Sequence, residues 1–191
     1  MGASEGRSEG RVARLRAKVA ENPNSAKAHA RLGTALLRTE SIASGEEELR
    51  RAVKLDPKCV EAWVNLGGAL LHRWDFSGCA DANARAIKAD PNSILAHYNK
   101  GLAHLYLNQP EAMLECFMRV IELDPSHASA TYHVAVALLA LDRVEEALVA
   151  VTRARALGHS PSPDFMKSLQ RKLAAQPSTP DAGNAKDNPT P

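Results

Sequence analysis

The 191-residue sequence has few aromatic residues and little unbalanced charge, and both shortages narrow the possible functions. Aromatic residues make up 4% of the chain, although hydrophobic residues make up 45%. A core built around one large aromatic centre is therefore not expected, and burial must be distributed along the chain. The formal net charge of +2 is too small to indicate nucleic-acid binding by itself, so no nucleic-acid partner is expected.

Cysteine and long apolar segments are also scarce. The three cysteines, Cys59, Cys79 and Cys116, are odd in number and form no C-x-x-C pair. They fall inside predicted helices, so we expect buried, reduced thiols, which favours a reducing, cytoplasmic compartment. The first residues include no apolar segment typical of a secretory signal. No run approaches the roughly 18 apolar residues that a membrane-spanning helix needs, so no membrane span is predicted.

The common signatures of catalysis and metal binding are missing as well. The sequence contains no phosphate-binding glycine loop and no nucleophile elbow. A non-enzymatic function is therefore predicted, and no cofactor is expected. Seven histidines are present, but none forms an H-x-x-x-H pair and no cysteine lies beside them at ligand spacing. We interpret them as residues of helix seams and predict no metal site.

What the sequence does contain is a repeat. Prolines recur at a constant step of 34 residues, and three of the four follow an aspartate. The residue ten after each proline is tiny, and the residue 29 after it is small, which lets two helices approach closely. The prolines are Pro23, Pro57, Pro91 and Pro125, the tiny residues are Gly33, Gly67, Gly101 and Ala135, and the small ones are Ala52, Ala86, Val120 and Ala154.

The second unit opens with the pattern W-x-x-L-G-x-x-L, from Trp63 to Leu70, and closes with Asp90-Pro91. With the 34-residue period, this pattern resembles the tetratricopeptide (TPR) family, whose repeat is a helix–turn–helix. The resemblance covers about residues 11–175 and implies an all-α, right-handed α-solenoid. Full repeats are expected at residues 26–57, 60–91, 94–125 and 128–159.

Both ends of the chain depart from a full repeat. A helix over residues 9–22 matches the second half of a repeat. Its basic face is interpreted as solvated, with contact to an acidic partner, phosphate or membrane surface as the alternative. A capping helix is predicted over residues 162–175, because a finite stack needs a polar outer face. Disorder is expected over residues 1–8 and 176–191, the latter having no hydrophobic residue larger than alanine.

Local signals define the turns between the predicted repeats. Each Asp-Pro pair is expected to end the second helix of a repeat, since proline cannot donate the backbone hydrogen bond. Polar residues after each proline are predicted to cap the next helix: Asn24 or Ser25, Asn92 or Ser93, and Ser126. One apolar position is broken, because Asn83 takes the place that Leu49, Phe117 and Val151 hold in other repeats. This leaves the packing between the second and third repeats in question.

In TPR proteins the first helices of successive repeats line a concave groove, so the resemblance implies a ligand-binding face. The residues predicted to face a ligand are Arg31, Arg38, Asn65, His72, Tyr98, Asn99, Leu102, Tyr106, Tyr132 and His133. Asn65 and Asn99 occupy equivalent positions, and their amides are suited to gripping the main chain of an extended peptide. The apolar and aromatic residues suit a hydrophobic anchor or an amphipathic helix. The alternative is that this stripe merely packs under the capping helix.

The sequence thus predicts an adaptor or scaffold that binds a peptide or helical segment of a protein partner. Some TPR proteins hold the acidic tail of a chaperone with a five-residue carboxylate clamp. That clamp is absent here, because the matching positions are Ala30, Thr34, Asn65, Leu95 and Asn99. Two alternatives stay open: self-association into a homo-oligomer, and a role as accessory subunit of a larger complex.

Overall fold

The computed structural model describes residues 2–39 and 41–175, and in these ranges the backbone forms ten α-helices and no strand. Consecutive helices pack against each other along the whole series, and α2 to α9 pair into four repeats. The helices are α1 (Gly2–Glu21), α2 (Ala26–Thr39), α3 (Ile42–Leu55), α4 (Val60–His72), α5 (Phe76–Ala89), α6 (Ile94–Tyr106), α7 (Pro110–Leu123), α8 (Ala128–Ala140), α9 (Val144–Ala156) and α10 (Pro163–Ala175). Because α2, α4 and α6 also contact one another in succession, the first helices of the repeats form one side of the stack. The predicted all-α solenoid is confirmed.

The two helices of a repeat cross where the sequence has its tiny residues. A Cβ placed on Gly33 would lie 2.8 Å from the carbonyl oxygen of Gly45, and one on Gly101 would lie 2.8 Å from the ring of Phe117. Carbon atoms in packed interiors do not approach so closely. The glycines of the 34-residue pattern therefore set the distance between the helices of each pair.

We expect Gly33→Ala to lower the free energy of unfolding by about 2 kcal/mol, because the added methyl group must push α2 and α3 apart. Gly68→Ala is the matched control, since Gly68 lies within α4 and a Cβ there would meet no atom within 4 Å. This control should raise the free energy of unfolding by about 0.8 kcal/mol through helix propensity. Urea unfolding measures both. If the Gly33 variant proved as stable as the control, the close crossing would not exist.

The turns between repeats follow the Asp-Pro signal. The second helices α3, α5 and α7 are each followed by an aspartate in extended conformation, as predicted: Asp56, Asp90 and Asp124. Each carboxylate accepts a hydrogen bond of 2.9 to 3.0 Å from the backbone N–H two residues later. The aspartate therefore ends one helix and also organises the turn that leads to the next.

Ring nitrogens close the same turns from the other side. The residues six after three of the prolines are His29, Trp63 and His97, and each hydrogen-bonds through a ring nitrogen to the carbonyl oxygen of its proline at 2.9 to 3.0 Å. His29 is buried, and its other nitrogen lies 2.6 Å from the carboxylate of Glu48. Two of the seven histidines thus hold turns, in agreement with their interpretation as residues of helix seams.

The N-caps agree only in part with the sequence. Ser25 caps α2 as predicted, its Oγ accepting from the N–H of Ala28 at 3.2 Å. The prediction for Ser126 is wrong: His127 caps α8, and its Nδ1 accepts from the N–H of Ala130 at 3.2 Å. Ser126 instead donates its hydroxyl to Asp124 at 2.6 Å. Ser126 lies one residue before the cap position, which His127 holds here two residues after Pro125, as Ser25 does after Pro23.

The ends of the stack are closed by α1 and α10. Val12 of α1 is buried against Leu32 and Leu36 of α2, while Phe165 and Leu169 of α10 join the core of the last repeat. The α1 backbone is helical from Gly2, whereas the sequence predicted disorder up to residue 8; no proline precedes Pro23 to interrupt the helix. The predicted disordered segment 176–191 lies outside the described residues. Of the helices that the structure describes, none combines the length and the apolar character needed to cross a membrane.

Asn83 shows how the second and third repeats remain packed despite a polar residue in an apolar position. The side chain is fully buried beside Gly67, whose missing Cβ leaves room for the amide. Its Nδ2 donates to the Cys79 carbonyl at 2.8 Å, but its Oδ1 is buried with no hydrogen-bond partner among the described residues. The Cys79 thiol in turn lies 3.6 Å from the carbonyl of Asn99 in the next repeat. The second and third repeats therefore contact each other at this position, and Asn83 Oδ1 lacks a hydrogen-bond partner among the described residues.

We expect Asn83→Leu to raise the free energy of unfolding by about 1 to 2 kcal/mol, because it removes a buried, unsatisfied acceptor. Leucine suits the position, since Leu49 packs against Gly33 at the equivalent place in the first repeat. The urea midpoint of Asn83→Leu measures this gain. Asn83→Ala also removes the amide but leaves a cavity, so it separates the effect of the leucine side chain from simple loss of the amide. A leucine variant less stable than wild type would mean that the space beside Gly67 cannot hold leucine.

Candidate functional site

A cleft of about 400 Å³ opens between α2, α4 and α6 on the side formed by the first helices. We name it the amide cleft after its two asparagines. Its lining residues are Leu37, Arg38, Ile42, Val64, Asn65, Gly68, Ala69, His72, Leu95 and Asn99. On α4, positions 65, 68 and 72 follow the spacing of one helix face. Four of the ten residues predicted to face a ligand, Arg38, Asn65, His72 and Asn99, therefore line one cleft.

The two amides in the cleft differ in how they are held. Asn65 donates from Nδ2 to the Thr34 hydroxyl at 2.8 Å, and Thr34 donates onward to the Ala30 carbonyl at 2.8 Å. The Asn65 side chain is thereby oriented, with one N–H and its carbonyl oxygen left over. The Asn99 side chain makes no hydrogen bond to any residue in the described part of the chain. Both amides keep hydrogen-bonding capacity for a ligand.

Gly68 leaves the floor of the cleft open. It lies in the interior of α4, where glycine is less favourable than alanine by roughly 0.5 to 1 kcal/mol. Its neighbour Gly67 is needed for packing against Asn83, but a Cβ on Gly68 would meet no atom within 4 Å. The fold therefore gives no reason for glycine at position 68. The missing side chain does keep space between Asn65 and His72 free for an approaching backbone.

The remaining lining is apolar with basic edges. Leu95 is 54% exposed and Ile42 is 40% exposed, so both present apolar surface to solvent inside the cleft. The side chains of Arg38 and His72 supply the basic character, and none of the residues that line the cleft carries a carboxylate. The cleft is suited to a chain segment that carries apolar side chains and an acidic group.

A second cleft of about 340 Å³ adjoins the first, because His72 lines both. It is formed by three aromatic residues, Trp74, Phe76 and Tyr106, which we name the aromatic edge cluster. The rings of Phe76 and Tyr106 are stacked at 4.6 Å, and Trp74 meets them edge-on at 5.9 and 6.3 Å. Leu102, another predicted site residue, also lines this cleft, together with Leu71.

The other predicted rings lie elsewhere, in the C-terminal part of the stack. Tyr132 stacks on His159 at 4.3 Å and meets the edge of Phe165 at 5.3 Å, so the loop before α10 and α10 itself lie over it. Tyr98 stacks on His127 at 5.0 Å. The structure therefore places Tyr98 and Tyr132 away from the amide cleft, and Tyr132 has the arrangement that the sequence left open as packing under the capping helix.

His133 belongs to this same group of packed rings. It stacks on Phe117 at 4.7 Å, and its Nδ1 is buried without a hydrogen-bond partner among the described residues. Burial, with smaller contributions from the nearby His159 and His127, lowers the pKa of His133 to about 4. Arg31, the remaining predicted residue, is exposed on α2 and lines neither cleft.

Sequence reasoning missed several residues of these clefts, among them Ile42, Trp74 and Phe76. A signal for Trp74 was present. It follows the first helix of its repeat at the position where the next two repeats have Asn108 and Asp142, which are typical turn residues. A tryptophan in place of such residues is unusual and indicates that the turn does more than connect two helices.

The described residues offer little for catalysis or metal binding. No group of three or more histidine, cysteine, aspartate or glutamate side chains in that part of the chain is arranged to hold a metal ion. Burial raises the pKa of Cys79 and of Cys116 to about 11. The thiolate is the reactive form, so neither thiol is activated as a nucleophile at neutral pH.

Comparison with known proteins supports this architecture. The family model described as tetratricopeptide repeat matches residues 30–94 and 98–161. Among solved structures, the chain is similar to MamA from Desulfovibrio magneticus RS-1, with 20% identity, a TM-score of 0.73 and coverage of 82% of this chain and 88% of that chain. It is similar to YrrB, described as a TPR protein with an unusual peptide-binding site, with 18% identity, a TM-score of 0.76 and coverage of 84% and 82%. It is also similar to PilF of Pseudomonas aeruginosa, with 21% identity, a TM-score of 0.75 and coverage of 90% and 78%. No curated protein sequence matches the chain significantly.

Proposed function

Because the chain belongs to the tetratricopeptide repeat family, we propose that it is a scaffold whose amide cleft holds an extended segment of another protein. The observation that carries this proposal is Gly68. A glycine that weakens α4 and serves no packing contact keeps the cleft floor open. Close approach of a ligand backbone is the common reason for such a glycine. The protein then acts by binding and not by catalysis.

The geometry of the repeats suggests how the segment is held. Asn65 and Asn99 occupy the same position on helices one repeat apart, a separation of roughly 10 Å for packed neighbouring helices. An extended chain advances about 3.3 Å per residue, so the two amides meet peptide groups about three residues apart. Leu95 and Val64 then contact the side chains between them, while Arg38 and His72 favour an acidic residue.

Two further features support the proposal. The chain is similar in fold to YrrB, whose description includes a peptide-binding site. The three cysteines are free, and Cys79 and Cys116 are buried, which fits action in a reducing, cytoplasmic compartment.

Selection from a displayed library of random peptides tests the proposal while the partner's identity is still open. The wild-type chain should enrich extended sequences with apolar residues and at least one acidic residue, and binding of these peptides should weaken at high salt. No enrichment over an unrelated immobilised protein would contradict the proposed cleft. A second copy of the chain is the alternative ligand. In that case the mass in solution would rise with concentration, and Gly68→Leu would abolish the rise.

A further inference from the structure

The exposed aromatic residue Trp74 is held in a backbone conformation that does not suit it. Its φ is +64°, and the N–H of Asp75 donates to the Leu70 carbonyl at 3.0 Å, which closes the end of α4. The equivalent turn residues are Asn108 and Asp142, with φ of +54° and +61°. Asparagine and aspartate tolerate the left-handed region, whereas a bulky residue there is strained. Trp74 is 74% exposed, so burial does not account for its presence.

Neighbouring contacts fix the turn that presents this ring. Arg73 pairs with the carboxylate of Glu46 at 2.8 Å, and that carboxylate is almost fully buried, with 1% of its side chain exposed. Asp75 accepts from the N–H of Gly78 at 2.9 Å and caps α5. Trp74 is thus held between two anchored residues, and its ring is steeply inclined to the stacked pair of Phe76 and Tyr106.

Rings arranged in this way form a surface that suits proline. Proline-rich segments are already extended and lose little entropy on binding, and they dock in grooves lined by aromatic side chains. The chain itself carries such a segment. After α10 the sequence reads Q-P-S-T-P-D-A-G-N-A-K-D-N-P-T-P, with Pro177, Pro180, Pro189 and Pro191.

This segment starts on the edge of the stack where the aromatic edge cluster lies. Lys172, in the last turn of α10, donates to the Leu139 carbonyl at 3.3 Å and to Asp142 at 2.7 Å. The end of α10 therefore lies at the turn between α8 and α9. That turn, the turn between α6 and α7 and the turn with Trp74 are equivalent points of successive repeats, so they follow one edge.

The segment is long enough to reach the cluster. Three helix spacings, from α10 past α8 and α6 to α4, amount to roughly 30 Å at 8 to 10 Å each. Residues 176–191 span up to about 50 Å in a polyproline conformation at 3.1 Å per residue. Crossing that distance takes about ten residues at 3.1 Å each, so Pro189 and Pro191 are the prolines that reach the cluster. We infer that the end of the proline-bearing segment 176–191 docks on the aromatic edge cluster of the same molecule.

Fluorescence of Trp74 tests this inference in the full chain. The sequence has two tryptophans, so Trp63→Phe leaves Trp74 as the single reporter. In that background, changing Pro177, Pro180, Pro189 and Pro191 to alanine should at least double the acrylamide quenching constant and shift the emission to longer wavelength. Equal quenching in the two chains would overturn the proposal.

Proteolysis gives a second readout that does not depend on the Trp63 background. Lys186 lies within the segment, and cleavage after it should be several-fold faster in Trp74→Asn than in wild type. The asparagine variant keeps the turn, because Asn108 adopts the same conformation. Equal cleavage rates would overturn the proposal. Protection that disappears on dilution would assign the docked segment to a second copy and would overturn docking within one molecule.

Discussion

Gly68→Leu should weaken peptide binding at least tenfold, about 1.4 kcal/mol of binding free energy, without unfolding the protein. The leucine side chain would project from α4 into the cleft between Asn65 and His72, where a ligand backbone must pass. It would meet no protein atom near its Cβ, and it suits a helix better than glycine. The variant should therefore bind worse and unfold at a higher urea concentration. Isothermal titration with a library-selected peptide and urea unfolding measure the two effects.

Two variants show whether steric blocking is the cause. Gly68→Ala adds one methyl group, so it should weaken binding less than Gly68→Leu while gaining the same helix stability. Asn65→Ala combined with Asn99→Ala leaves the floor open but removes both amides, and it should weaken binding by about 2 kcal/mol for two hydrogen bonds. If Gly68→Leu bound the peptide as wild type does, the ligand would not pass over α4, and the amide cleft would not be the site.

The sequence was sufficient to predict the repeat and the shared cleft, because both depend on positions that recur. The 34-residue step placed Gly33 and Gly101 at helix crossings and Asp56 and Asp90 at helix ends, and the structure has them there. Asn65 and Asn99 line one cleft for the same reason: equivalent positions on adjacent first helices must face the same side of the stack.

The sequence could not predict features that depend on contacts with residues outside the 34-residue repeat. Whether Tyr132 faces a ligand depends on where His159 and Phe165 fall, and both lie at or beyond the end of the last full repeat. His127 caps α8 because it lies two residues after Pro125, the position that Ser25 holds after Pro23, and the usual N-cap preferences do not point to histidine there. Phe165 belongs to the C-terminal end of the stack, which the repeat pattern does not cover.

His133 should make the protein sensitive to acid. Its pKa is lowered to about 4 in the folded chain by burial first and by the nearby histidines second, whereas in the unfolded chain the imidazole titrates near its ordinary pKa of 6.5. Above pH 6.5 both states are neutral at this residue, and stability is unaffected. As the pH falls from 6.5 towards 4, the unfolded chain takes up the proton and the folded chain does not. Stability present above pH 6.5 is therefore lost in that window, by about 3 kcal/mol at 1.36 kcal/mol per pKa unit.

His133→Phe should remove this loss. Phenylalanine fills the same ring position against Phe117 and has no nitrogen to leave unsatisfied, so the variant should also be at least as stable as wild type at pH 7. Urea unfolding at pH 7, 5.5 and 4 gives the slope of stability against pH for each chain. Tyr98→Phe is the control, because Tyr98 belongs to the same ring group and burial raises its pKa above its usual value of 10, far from this window. If wild type and His133→Phe lost stability equally on acidification, while Tyr98→Phe followed wild type, the buried imidazole would not be the acid-sensitive group.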